Sequence, residues 1–176
     1  YPFVMADALY TRVRENGRIR SKGFMVAVGI NEQGFREILG FSCADSETEA
    51  GWTTFFRELK GRGLSQVDMV ISDSHKGLVK AVKQCFQGAA WQRCQTHFSR
   101  NMLDVCPKKL HPEMKAALKS LYEAGDYETA VLLRDNILLR FQQEAPKAAA
   151  LLEESFEDVM AVLSLPYAMR RRLRTT

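Results

Sequence analysis

The sequence predicts a mixed α/β fold, a sheet built in the order β-β-β-α-β-α-β and followed by an entirely helical half. Three observations predict it. From Phe3 to Cys43, apolar runs of strand length alternate with turn signals. From Ser46 to Arg93, apolar stripes at helical spacing alternate with short apolar runs, and after Cys94 only helical spacing is found.

The elements follow in order. Residues 3 to 14 form an extended run ending at Asn16-Gly17, a dipeptide that tolerates the positive φ of a two-residue hairpin. Phe24 to Ile30 is apolar on both faces and reads as a central strand. Asn31-Glu32-Gln33-Gly34 turns the chain, and Phe35 to Cys43 returns as a third strand. Ser46 and Glu49 have capping-box spacing, and Trp52, Phe55, Phe56 and Leu59 make the stripe of the helix they open. That spacing makes the aromatic residues core rather than a stacking platform for bases. Gly61 and Gly63 end the helix. Val67 to Ser72 is a fourth strand, a helix from about Ser74 carries Leu78, Val79, Val82 and Phe86, and Ala89 to Arg93 is a short fifth strand. Further helices are expected at about 94–105, 112–124, 127–144, 147–163 and 166–173, with Pro112 and Pro166 in first turns and Asp126 as an N-cap. The expected division is a sheet core over 1–105 and a helical part over 106–176, with the break at Val105-Cys106-Pro107.

Composition narrows the function classes. The 176 residues are 46% hydrophobic, enough for a true core, and the net charge of +4 permits nucleic-acid contact without requiring it. No run reaches the length of a membrane span, and the first residues lack the pattern of a signal peptide. Cys43, Cys85, Cys94 and Cys106 show no close pairing, so free thiols in a reducing cytoplasm are expected.

Two acids stand out. Asp7 lies inside the apolar run Phe3 to Tyr10, and Asp73 closes the run Val67 to Ser72. A carboxylate among apolar neighbours is costly unless it is neutralised. In the expected topology the first and fourth strands can be neighbours, so a shared divalent cation would serve both acids. Oxygen ligands suit Mg2+ or Mn2+, and a pair of such ions activates a hydroxyl and stabilises the leaving oxygen of a phosphodiester. The plainer alternative is that each acid is bonded to backbone, with Asp73 capping the helix that follows.

Other residues carry paired readings. Cys94-x-x-His97 is half of a zinc site, for which Cys106 and His111 are the nearest completing residues, or it orders the chain after the last strand by hydrogen bonding. His75 and Lys76 stand beside a scissile phosphate or in the exposed first turn of a helix. Arg12, Arg14, Arg18, Arg20 and Lys22 flank the hairpin, giving a basic DNA-backbone face or a charged edge that resists pairing. Arg170, Arg171, Arg172 and Arg174 form a phosphate-facing stripe or a solvated helix end.

Four ordered motifs resemble one family. Asp7-Ala8-Leu9-Tyr10 with Val13-Arg14, Ile71 to Leu78, Trp91 to Phe98 with Arg100-Asn101, and the closing Pro166 to Thr176 are similar to Mutator-type transposases of bacterial insertion sequences. The resemblance runs essentially end to end. It implies a ribonuclease-H-like catalytic core with a helical insertion, cutting and joining DNA at terminal inverted repeats and target DNA by a divalent-metal Asp-Asp-Glu mechanism. Asp7 and Asp73 then correspond to the first two acids, and Cys94 and His97 to a family signature. A multimer acting on DNA near the nucleoid is implied, with no membrane partner. The third acid, a glutamate, is expected on a helix soon after Arg174-Thr175-Thr176; Glu153, Glu154 and Glu157 lie too early. The chain is therefore expected to be a core fragment or truncated copy that does not cleave DNA alone. The alternatives are a non-catalytic product that binds DNA or sister subunits as a regulator, and a ribonuclease-H-like nuclease unrelated to transposition.

Overall fold

Asn16 and Gly17 take φ of 49° and 75°, reversing the chain in two residues and setting Glu15 opposite Arg18. That turn fixes the register of the two longest strands, β1 (Phe3–Glu15) and β2 (Arg18–Ile30), which run antiparallel. A computed structural model describes all residues from Tyr1 to Thr176. β3 (Arg36–Ala44) pairs antiparallel with β2, with a register shift between Ala27 and Val28. β4 (Met69–Ser72) lies parallel to β1, and with β5 (Ala90–Arg93) the sheet order is β3-β2-β1-β4-β5. The succession of elements is the one the sequence predicts.

Alternation along the strands assigns the faces. Val4, Ala6, Ala27 and Val70 pack in one cluster with Trp52 and Phe56 of α1 (Glu49–Gly61) and Leu78 of α2 (Lys76–Cys85). The Trp52 and Phe56 rings stack at 5.4 Å, so the aromatic stripe is core as expected. The capping box is not formed. Thr48, extended at φ −118° and ψ 158°, caps α1 by accepting from the Gly51 N–H at 3.1 Å. The helix thus begins two residues later than Ser46 would set it, and Glu49 faces Lys80 at 3.4 Å.

The chain divides into two compact units, Tyr1–Trp91 with Thr176, and Gln92–Thr175. The division lies upstream of the expected break at Val105-Cys106-Pro107. The reason is α3 (Gln95–Asp104), whose Phe98 and Met102 are fully buried in the helical core beside Cys106. That core is completed by α4 (His111–Tyr122), α5 (Tyr127–Phe141) and α6 (Pro146–Met160), through Met114, Leu121, Phe141 and Phe156. Pro112 sits in the first turn of α4, and Asp126 caps α5 by accepting from the Thr129 N–H at 2.7 Å, both as expected. A 3-10 turn and α7 (Tyr167–Leu173) follow, with Pro166 as the residue before α7.

Two buried polar residues organise the start of the helical unit. Gln92 donates to the Arg93 and Val159 carbonyls, each at 2.7 Å, and accepts from the Val162 N–H at 2.6 Å. Arg93 donates to Ser155 at 2.6 Å and Asn101 at 3.1 Å, and its guanidinium lies 5.0 Å from the Phe98 ring centre. A buried guanidinium requires partners of this kind. No helix is long and apolar enough to cross a membrane.

Candidate active site

The pairing of β1 with β4 ends at Ala6 opposite Ser72. Asp7, within β1, and Asp73, the residue after β4, follow that last pair on adjacent parallel strands that lie about 4.8 Å apart. Val4, Ala6 and Val70 face α1 and α2, so Met5, Asp7, Met69 and Ile71 belong to the opposite face. The two acids, 66 positions apart in sequence, thus each follow the last paired residue of the β1–β4 ladder.

Asp7 is half-buried. Its Oδ1 accepts from the Ala8 N–H at 2.9 Å and its Oδ2 from the Thr176 hydroxyl at 3.0 Å. It borders a cavity of about 320 Å3 lined by Met5, Val26, Val28, Arg36, Ile38 and Thr176. Ile38 and the neighbouring Phe41 are 74% and 75% exposed, so this sheet face is open around the acid. Asp73 Oδ1 accepts from the His75 N–H at 3.0 Å. This turn precedes α2 and is not its cap, because the helix begins at Lys76 with His75 in the cap position.

Both carboxylates are hard oxygen donors, Asp7 within β1 and Asp73 just after β4, which fits Mg2+ or Mn2+ in ligand type. No three Asp, Glu, His or Cys side chains converge as a metal-binding cluster anywhere in the chain. The pair accordingly supplies two acids, and a third ligand acid does not join them. Cys94, His97, Cys106 and His111 form no such cluster either. Cys94 is buried at the N-cap of α3, the His111 ring bonds the Cys106 carbonyl at 3.0 Å, and the four residues do not gather. His97 Nδ1 is buried with no hydrogen-bond partner.

The basic residues divide in a way the sequence reading did not foresee. In the hairpin register Arg18, Arg20 and Lys22 stand opposite Glu15, Val13 and Thr11, which alternate with Asp7 on one face. Arg12 and Arg14 fall on the other, so the hairpin has no single basic face. Lys22 is engaged internally by Asp45 and, at 3.3 Å, by Glu15, and these carboxylates raise its pKa.

The C-terminal arginines divide too. Arg170 donates to the carbonyls of Leu165 at 2.7 Å, Gly125 at 2.7 Å and Leu163 at 3.1 Å. Arg174 donates to the Tyr122 carbonyl at 3.2 Å. These two brace the helical unit, while Arg171 and Arg172 lie exposed. Lys76 is exposed in the first turn of α2, and His75 is half-buried.

Two participants were missed by sequence reasoning. Thr176 reaches Asp7 from 169 positions away, and only its place beside Arg174-Thr175 drew attention to it. Glu47, beside His75, carries no motif at all.

A family model for the Mutator transposase family matches residues 1–176. The transposase for insertion sequence element IS256 in transposon Tn4001 of Staphylococcus aureus is 42% identical over 160 residues, covering 90% of this chain and 41% of that protein. The transposase for IS1081 of Mycobacterium tuberculosis is 39% identical over 173 residues, covering 98% and 42%. That for ISRM5 of Rhizobium meliloti is 36% identical over 176 residues, covering 100% and 44%. The chain spans less than half the length of these curated relatives. Among solved structures, the HTLV-2 integrase catalytic core domain in complex with magnesium covers 67% of this chain and 84% of its own at 13% identity, with a TM-score of 0.31, too loose a likeness to argue from.

Proposed function

This chain belongs to the Mutator family of transposases, and on that premise we propose that it is the larger part of a DNA transposase catalytic core, built on a ribonuclease-H-like sheet with a helical insertion. The observation that carries this reading is the β1–β4 register, in which Ala6 pairs with Ser72, the residues just before Asp7 and Asp73. The substrates in this reading are the terminal inverted repeats of a transposon and its target DNA, and the protein works as a homo-oligomer on DNA.

Asp7 and Asp73 would hold Mg2+ or Mn2+. When bound, the cation supplies activation of the attacking hydroxyl and charge stabilisation at the phosphodiester. The chain's own residues prepare for this. The Thr176 hydroxyl and the Ala8 N–H fix the Asp7 carboxylate, and the His75 N–H fixes that of Asp73. Donors of this type orient a carboxylate before it meets a cation. Arg18, Lys76 and Arg171 are exposed cationic side chains suited to DNA phosphates.

With two acids and no third, the 176 residues alone are expected not to cleave. Nicking of a terminal-repeat duplex in the presence of Mn2+ tests the reading. The isolated chain should be inactive, the same residues within a protein of the relatives' length should nick, and Asp7→Asn or Asp73→Asn should abolish that activity. Nicking that survives both substitutions overturns the proposal.

A further inference from the structure

Glu47 lies between β3 and α1, and its side chain is only 8% exposed. A carboxylate so buried needs donors or a counter-charge. Trp52, fully buried, donates its Nε1–H to Glu47 Oε1 at 2.8 Å. The start of α2 supplies the second neighbour: His75 Nδ1 stands 3.4 Å from the same oxygen. At that separation the contact is close packing rather than a closed hydrogen bond, and the buried Nδ1 has no hydrogen-bond partner. The backbone N–H of His75 is the one that donates to Asp73 Oδ1. One residue therefore joins Glu47, through its ring, to Asp73, through its amide.

The surrounding backbone holds these groups together. A Cβ on Gly77 would come within 2.7 Å of the Glu49 amide nitrogen and 3.1 Å of the Thr48 carbonyl carbon, so only glycine lets the starts of α1 and α2 touch. The Glu47 N–H donates to the Tyr10 hydroxyl at 3.2 Å, tying the same segment to β1.

We propose that Glu47 is a positioning residue for the second acid: it holds the His75 ring, and through the His75 amide it sets the orientation of the Asp73 carboxylate toward a divalent cation. The proposal rests on the reading of Asp73 as a metal-binding acid. Neighbours that orient a ligand in this way change metal affinity about 10- to 100-fold when removed.

The test is Mn2+ affinity by titration calorimetry on this chain, with thermal melting of each metal-free variant. Glu47→Gln keeps the size of the side chain and an oxygen for Trp52, and should weaken Mn2+ binding about tenfold with little change in metal-free melting. His75→Ala keeps the amide donor but removes the ring, and should lose as much. The double variant should be no weaker than either single one, because both act on one element. Glu47→Gln binding like the parent while Asp73→Asn binds poorly overturns the proposal alone. Additive losses in the double variant overturn it as well. Asp73→Asn binding like the parent overturns the metal reading, and the proposal falls with it.

Discussion

Thr176 donates its hydroxyl to Asp7 Oδ2 at 3.0 Å, joining residues 169 positions apart. The bond fixes an acid that borders a cavity of about 320 Å3. Replacing Thr176 with Val keeps the shape and removes the donor. The expected cost is about 1 kcal/mol of stability, the worth of one such bond, read as a lower urea midpoint at unchanged slope. An unchanged midpoint would show that the bond contributes nothing.

Gly77→Ala places a methyl group against the backbone of Thr48 and Glu49. Neither backbone can yield without moving a helix, so the substitution should destabilise by about 1–3 kcal/mol, as overpacking of close contacts does. Thermal melting checks this, and Gly61→Ala, where an added Cβ meets nothing within 4 Å at the end of α1, is the control that should melt no lower than the parent.

Arg170 and Arg171 are neighbours in sequence with opposite roles. Arg170→Ala removes three donors to backbone carbonyls and should cost about 1–3 kcal/mol. Arg171→Ala should leave stability within about 0.5 kcal/mol and, in the transposase reading, weaken duplex binding and lower its salt dependence. Denaturation and anisotropy on both variants separate the roles; equal stability losses would refute the division.

Tyr122 packs in the helical unit with its hydroxyl bonded to Ser99 at 2.8 Å, and burial pushes its pKa up to about 12 from the ordinary 10.0. The folded state favours the neutral phenol, so its contribution to stability is present in full below pH 10 and is lost as pH rises toward 12. Tyr122→Phe should flatten the fall in stability across that window, measured as urea midpoints against pH.

Much of this was written in the pattern of the chain. The apolar runs around Asp7 and Asp73 predict two core strands, and β1 and β4 form there and pair in parallel. Asp126 was legible as a cap because an N-cap needs only its own neighbours, and it caps α5. The hairpin register was also within reach. A two-residue Asn16-Gly17 turn sets Glu15 opposite Arg18, which sends Arg12 and Arg14 to the face away from Arg18, Arg20 and Lys22. Other features were not legible because they are tertiary. Thr48 displaced Ser46 as the cap when Glu47 turned inward to Trp52, and Arg170 bonds carbonyls brought near only by helix packing. Glu47 and Thr176 gain meaning solely from partners distant in sequence.

The most direct measurement is Mn2+ titration of the parent, Asp7→Asn and Asp73→Asn under identical conditions. The parent should bind Mn2+ weakly, as two acids without a third allow, and each substitution should reduce that binding to a similar degree while the metal-free proteins stay folded. Two variants that take up Mn2+ like the parent, or a parent that takes up none, would contradict the shared site.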